Sequence, residues 1–519
     1  MNQQTEMSGP VANNNDDEAL IDIPTPQRKG LGVFVASVFI VGTMCGSGIL
    51  ALPKAMVDAG WAGIGLLIIC GLISAFTGSI LGKCWTILRM RYPEYEDQYI
   101  PDPYPTIGFR AAGRVGRFAT RFCIIATLYG GATVYLLLIA GNISNLIESL
   151  GHVEIHACYW ILIITAVLIP FTWLGTPKDF WQAAIMAAVT TGIGGLLATI
   201  ALIVMIPTTP PATHSNPTFN SFFNAFGTIL FAFGGASVFP TIQVDMKQPD
   251  MFPKSVVIGI ISFIDINMKT YPPHHTAVLA TYLPICVAGL VVLGDNMTHD
   301  NILDELAKTW LLYSVIILIT SHLLMAFLIV VNPINQDLEG FFNIADKFSI
   351  KRCIVRTSVM LSMLFVALSV PHFGVILSLV GGTTVTATNF IFPPLFYLML
   401  SRQLTASDAP GELPNFPGKT FYTAVTSQTM SPPDPVTPEV SENEETPKFT
   451  TPPHQDTPIP QIPWVNINVP TYMKLLLIEI ILIGLVGGVA STYSVITSLV
   501  SGTSGFTVPC YVNWATADA

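Results

Sequence analysis

Apolar stretches long enough to cross about 30 Å of hydrocarbon recur along this chain, from Leu31 to Leu400 and again from Tyr472 to Val500. Roughly eleven can be drawn, at approximately 32–57, 61–89, 119–148, 158–175, 180–206, 219–245, 277–293, 307–331, 353–370, 374–400 and 472–500. Only 11% of the 519 residues are charged, against about 25% in an ordinary soluble domain, so lipid is the expected solvent. Backbone polar groups in lipid must be bonded inside the segment, and none of these stretches alternates with the period of two that a barrel needs. The chain therefore reads as an all-α polytopic membrane protein.

Loops rich in Lys and Arg stay cytoplasmic, and here they alternate. Arg28 and Lys29 precede the first span; Arg89, Arg91, Arg110, Arg114, Arg117 and Arg121 lie between the second and third; Lys178, then Lys247 and Lys254, then Lys347, Lys351, Arg352 and Arg356 follow at every second loop. The intervening loops are nearly free of both. The N-terminus is thus expected inside and, with an odd number of spans, the C-terminus outside. No basic n-region or cleavage site precedes the first span, which reads as an uncleaved anchor. The net charge of −10 sits mostly in acidic tails and loops and suggests no nucleic-acid partner.

Residues 1–30 read as a disordered cytoplasmic tail, 31–400 as the core of ten spans, 401–470 as a disordered Pro-rich cytoplasmic loop, 471–500 as the eleventh span and 501–519 as an extracytoplasmic tail. The long loop carries Ser-Pro or Thr-Pro steps at Ser431, Thr437, Thr446, Thr451 and Thr457, which either reflect composition or make it a regulatory segment read by a cytosolic regulator. Asn296 opens a glycosylation sequon in a loop expected outside. The eight cysteines show no metal spacing. Cys158 and Cys510 are expected on one side, where a disulfide can form, and the sequence leaves that pairing open.

Within the seventh span, residues 261–276 include Asp265, Asn267, Lys269, Pro272, Pro273, His274 and His275, which cannot continue a lipid-facing helix. Deleting them joins Ile260 to Ala277 and restores one apolar span. The block reads as an insertion, as from a mis-spliced gene; the competing reading is a cytoplasmic re-entrant segment.

The first span contains Gly42, Thr43, Met44, Cys45, Gly46, Ser47 and Gly48, helix weakeners in mid-membrane. An unwound point would expose amides and half-helix ends that bind a carboxylate, and carbonyls that hold a cation. Gly42 and Gly46 can equally form a small-residue packing face. A second break is expected in the sixth span at Phe233, Gly234, Gly235, Ala236 and Ser237, before Pro240. Paired interrupted helices at matching positions of two five-span halves point to a transport site between inverted repeats. The expected substrate contacts are Thr43, Gly46, Ser47, Gly48, Phe233, Gly234, Gly235 and Ser237, with Phe231 and Phe233 as walls.

The run Gly46 to Pro53 with Ala59-Gly60-Trp61, then Phe239-Pro240-Thr241-Ile242-Gln243, Met246-Lys247 and Phe252-Pro253-Lys254, resembles the amino acid/auxin permease family. The resemblance covers about 31–400 and the last span. It implies a five-plus-five inverted-repeat, leucine-transporter-like fold plus one helix, and neutral amino acid substrates moved with protons or sodium or by exchange. Thr320 and Ser321 would then complete a sodium site, unless they bond within their own helix. His322 is a proton relay or an interhelical hydrogen-bonding group. Glu479 reads as packing or interfacial and Lys83 as snorkelling.

These residues support secondary active transport of amino acids in a plasma, vesicular or lysosomal membrane, with no cofactor beyond the coupling ion. A sensor signalling through the 401–470 loop is the alternative. A membrane enzyme lacks a clustered set of Asp, His or Cys in its spans, and a channel lacks a filter. Peptide mapping of the protein purified from its source is expected to yield no peptide covering Met268 to His275; finding one would rule out the mis-splicing reading.

Overall fold

The computed structural model describes residues 30–92, 94–97, 100, 102–151, 155–173, 180–261, 278–344, 348–370, 372–403, 467–501 and 510. The tail before residue 30, the block after Ile261, the long loop between residues 403 and 467, most of the C-terminal tail and the basic positions Arg28, Lys29, Lys178 and Lys347 lie outside them.

The first span is two helices, α1 (Val33–Met44) and α2 (Gly48–Ala59), bent by 62° across three residues. Gly46 and Gly48 remove the side chains that would stabilise continuous helix there. α3 (Ala62–Arg91) follows. α4 (Pro103–Gly151) bends at Ala112 and Gly113, where Gly113 takes φ +66°, a conformation glycine adopts without steric cost. α5 (Ala157–Trp173) and α6 (Phe180–Met205) complete the first half.

The sixth span repeats the break. α7 (Phe219–Ala232) starts at a reciprocal cap, with Thr218 Oγ1 accepting from the Ser221 amide and Ser221 Oγ from the Thr218 amide. It gives way to a 3-10 turn at Gly234–Ser237 and then to α8 (Phe239–Val244). Pro240 occupies the first turn of α8, where its missing N–H has no helical partner to lose.

After α9 (Phe252–Ile260) and α10 (Val278–Val292) come α11 (Trp310–Phe341), α12 (Ile350–Ser369), α13 (Phe373–Arg402) and α14 (Thr471–Val500). Two π-helical turns, Gly381–Val385 and Ala387–Ile391, interrupt α13. Among the described residues eight helices are long and apolar enough to cross a membrane. The bent α1–α2 pair makes a ninth, and two shorter apolar helices, Cys158–Trp173 and Val278–Val292, fill the remaining expected spans. The element order is that of two five-span halves, each opening on a broken helix, with α14 added.

Helix α11 packs on α4 and α6, and α5 on α4 and α12; α2 lies along α7 and α10, and α9 along α1 and α3. The backbone of Leu31 pairs with Asp245 and Lys247, tying the start of α1 to the end of α8.

Three expectations need correction. The segment read as a loop before the third span contains helix from Pro103, and residues 103–111 are buried. The eighth span runs ten residues past its apolar window, because Asp337 and Glu339 near its end are paired with arginines of other helices. Glu479, read as packing or interfacial, is not packed inside the bundle but exposed on the outer surface of α14.

At the end of α11, Glu339 is 4% exposed and accepts from Arg352 Nε at 3.0 Å and Arg356 Nε at 2.5 Å, while Arg356 also donates to the Thr172 carbonyl. Asp337 pairs with Arg121 of α4. On the opposite face Cys158 and Cys510 are joined in a disulfide, which settles the pairing that the sequence left open. Removing one member of a buried ionic cluster leaves uncompensated charge, typically costing about 3–5 kcal/mol. Glu339→Ala is therefore expected to lower the unfolding temperature markedly; an unchanged melt in detergent would show that the cluster is solvated.

Candidate substrate site at the two helix breaks

The two breaks meet in the middle of the bundle. A Cβ added to Gly48 would lie 2.7 Å from the Ala232 Cβ, and one added to Gly235 would lie 2.5 Å from Met44 Cγ. Glycine at these positions is thus what allows the two spans to approach.

A cavity of about 120 Å³ opens beside this contact. It is lined by Thr43, Ser47, Gly48, Gly234, Gly235 and Ser237 from the breaks, by Tyr135 and Leu128 of α4, by Phe39 and Phe231, and by Ala326, Ile329 and Val330 of α11. Among the described residues no carboxylate, Lys or Arg contributes to this wall. The polar groups the wall offers are backbone amides and carbonyls, the half-helix ends and the hydroxyls of Thr43, Ser47, Ser237 and Tyr135.

Six of the eight expected substrate contacts line this cavity. Gly46 lies behind it, where an added Cβ would be 2.6 Å from Tyr135 Oη and 3.5 Å from His322 Nε2. Phe233 is turned away, fully buried and edge-on to Tyr282 at 5.9 Å; its neighbour Phe231 faces the cavity instead.

His322 of α11 is 1% exposed. Its Nδ1 lies 3.1 Å from the Ala187 carbonyl and 3.0 Å from Thr191 Oγ1, both on α6. A carbonyl only accepts, so Nδ1 carries the hydrogen and Nε2 presents a lone pair. Nε2 is buried and has no hydrogen-bond partner among the described residues, and Ser47 Oγ is in the same position. The other two expected ion-coupling residues lie elsewhere. Thr320 accepts from Asn142 of α4 at 3.2 Å, and Ser321 donates to the Ile317 carbonyl of its own helix at 2.7 Å.

Sequence reading missed the side chains that hold the breaks. Tyr282 Oη of α10 lies 2.9 Å from the Met44 carbonyl and 3.0 Å from the Ala232 carbonyl. Asn389, in the second π turn of α13, donates to the Phe233 carbonyl at 2.8 Å and to Ser74 Oγ at 3.2 Å. Polar residues inside apolar spans were the available signal, but nothing in a linear sequence says which carbonyl each one reaches.

A second, larger cavity of about 790 Å³ lies on the disulfide face, lined by α2, α7, the start of α13 and the 298–304 loop. Its wall mixes apolar side chains with charged ones, the latter including the ion pair Lys54–Asp58 at 3.0 Å, Asp300 and Asp304. Asn296 lies on the same face with an exposed side chain.

The family described as "Transmembrane amino acid transporter protein" matches residues 29–408. Similar proteins from Arabidopsis thaliana include Amino acid transporter AVT1D, 28% identical over 403 residues, which are 74% of this chain and 66% of that protein. Amino acid transporter AVT1E is 25% identical over 420 residues, 76% of this chain and 70% of that one, and Amino acid transporter ANT1 is 26% identical over 385, 70% and 83% respectively. The match thus spans about two thirds of AVT1D. Among solved structures, the nucleobase-cation-symport-1 family transporter Mhp1 in a closed conformation aligns over 72% of this chain and 79% of that one, at 15% identity and TM-score 0.43. MhsT in complex with L-phenylalanine aligns over 72% and 96%, at 12% identity and TM-score 0.44.

The close approach of Gly48 to Ala232 gives a direct test. Gly48→Ala is expected to cost about 1–3 kcal/mol through overpacking. Gly141→Ala, where an added Cβ meets nothing within 4 Å, should be near neutral. Equal unfolding temperatures for the two variants would disprove tight packing of the breaks.

Proposed function

The chain belongs to the transmembrane amino acid transporter family, and on that premise we propose that it carries small neutral amino acids across a membrane by alternating access. The observation that carries this reading is the uncharged cavity at the meeting point of two broken helices. Its volume of about 120 Å³ is well below the roughly 300–1,000 Å³ usual for drug-sized ligands, which suits a small substrate. Phe39, Leu128, Phe231 and Val330 offer an apolar wall to an uncharged side chain.

Substrate binding in one conformation shifts the population only as far as its differential affinity allows, so net accumulation requires a coupled ion. His322 supports a proton in this role, because its free Nε2 faces Gly46 behind the cavity. A sodium ion held by Thr320 and Ser321 is the weaker alternative, since neither hydroxyl lines the cavity. The basic face is read as cytoplasmic. The disulfide on the opposite face supports that orientation, because disulfides persist in oxidising compartments. A plasma membrane or an intracellular vesicle or lysosome would each satisfy it.

The full chain in proteoliposomes, offered a panel of labelled neutral amino acids, is expected to accumulate substrate under an imposed pH gradient and not under a sodium gradient. Gly46→Leu, which drives a side chain into Tyr135, should abolish uptake while the protein still folds. Saturable binding without flux under either gradient would replace this reading with that of a sensor. Sodium-driven uptake would move the coupling away from His322.

A further inference from the structure

A phenol carries one proton, yet Tyr282 Oη is within hydrogen-bond distance of two carbonyls, those of Met44 and Ala232. Met44 is the last residue of α1 and Ala232 the last residue of α7, so these carbonyls stand at the two points where helices stop. Carbonyls at a helix end have lost their regular intrahelical donors and are costly to leave unbonded away from water; the Met44 carbonyl also accepts from the Gly46 amide at 2.8 Å. One hydroxyl on a third element, α10, thus reaches the end of both broken spans.

The other contacts between the breaks, Gly48 on Ala232 and Gly235 on Met44, are van der Waals contacts. They limit how close the spans come but do not fix one against the other along their lengths. A hydrogen bond is directional and does so. Tyr282 is held for this task, with its side chain fully buried and its ring edge-on to Phe233. It does not line the substrate cavity.

We propose that Tyr282 is a positioning residue that holds the two broken spans in one register, its single hydroxyl proton shared between the carbonyls of Met44 and Ala232, so that the breaks open together. The consequence for transport rests on the carrier reading above; the coupling of the two breaks does not. Tyr282→Phe keeps the ring and removes only the donor the two carbonyls share, so the Met44 carbonyl keeps the Gly46 amide but is no longer tied to the Ala232 carbonyl.

The test is hydrogen–deuterium exchange of the full chain in detergent, followed by mass spectrometry of peptides covering residues 42–48 and 232–238. In Tyr282→Phe, exchange is expected to rise about tenfold in both segments together, as for loss of one buried hydrogen bond. A rise in one segment only, or in neither, would overturn the proposal. Should Tyr282→Phe fail to fold, para-aminophenylalanine at position 282 retains the ring and supplies two N–H donors. It is expected to hold both segments at or below wild-type exchange, and faster exchange there would equally overturn the coupling. In proteoliposomes, Tyr282→Phe should lower the maximal uptake rate about tenfold with KM changed less than about threefold; a wild-type rate would refute the role in transport. If wild type shows no flux at all, the carrier reading fails, and the exchange experiment still decides whether Tyr282 joins the breaks.

Discussion

A peptide group that is not hydrogen-bonded is costly in hydrocarbon, and the rest of this structure follows from how the chain manages that cost. Most of its backbone is hidden in continuous helices. At Cys45–Ser47 and again after Ala232 the helices stop inside the bundle, and the freed amides and carbonyls must find partners within the protein. The two interruptions lie against each other, at the positions where Gly48 and Gly235 permit contact. Polar backbone is thereby concentrated at one buried place, beside a cavity whose described lining carries no charged side chain.

Side chains from four other helices converge on that place. Tyr282 and Asn389 donate toward carbonyls at the breaks, Tyr135 lines the cavity, and His322 is fixed by Ala187 and Thr191 with its second nitrogen unbonded among the described residues. Asn389 sits in a π turn of α13, an irregularity frequent at functional sites. The same economy appears at the ends of the bundle. Glu339 and Asp337 let α11 continue past its apolar window because Arg352, Arg356 and Arg121 meet them there. Hydropathy ends that span near residue 331, whereas ion pairing extends it to Phe341.

Much of the architecture was legible in the linear chain. Spans two, four, five, nine, ten and eleven begin and end within a few residues of their apolar windows, because hydrocarbon imposes one length and one composition on every helix that crosses it. The two breaks were legible too, since Gly42 to Gly48 and Phe233 to Ser237 combine weak helix formers with no room for lipid-facing polarity. The buried helix from Pro103 was missed because its arginines matched the pattern of a cytoplasmic loop, and Gly113 turns it back under the bundle.

What the sequence determined by itself was therefore local: which segments cross lipid, where two of them must stop being helical, and that polar groups at those stops need partners. Only the tertiary structure decided which partners. Thr320, Ser321 and His322 are consecutive on one helix, yet α-helical geometry turns them about 100° apart, and each meets a different neighbour: Asn142, its own helix, and the Gly46 break. Tyr282 and Asn389 gave no linear sign of which carbonyls they reach, since a polar side chain's reach depends on which helices surround it. That choice belongs to packing, where directional bonds between residues far apart in the chain are made all at once or not at all.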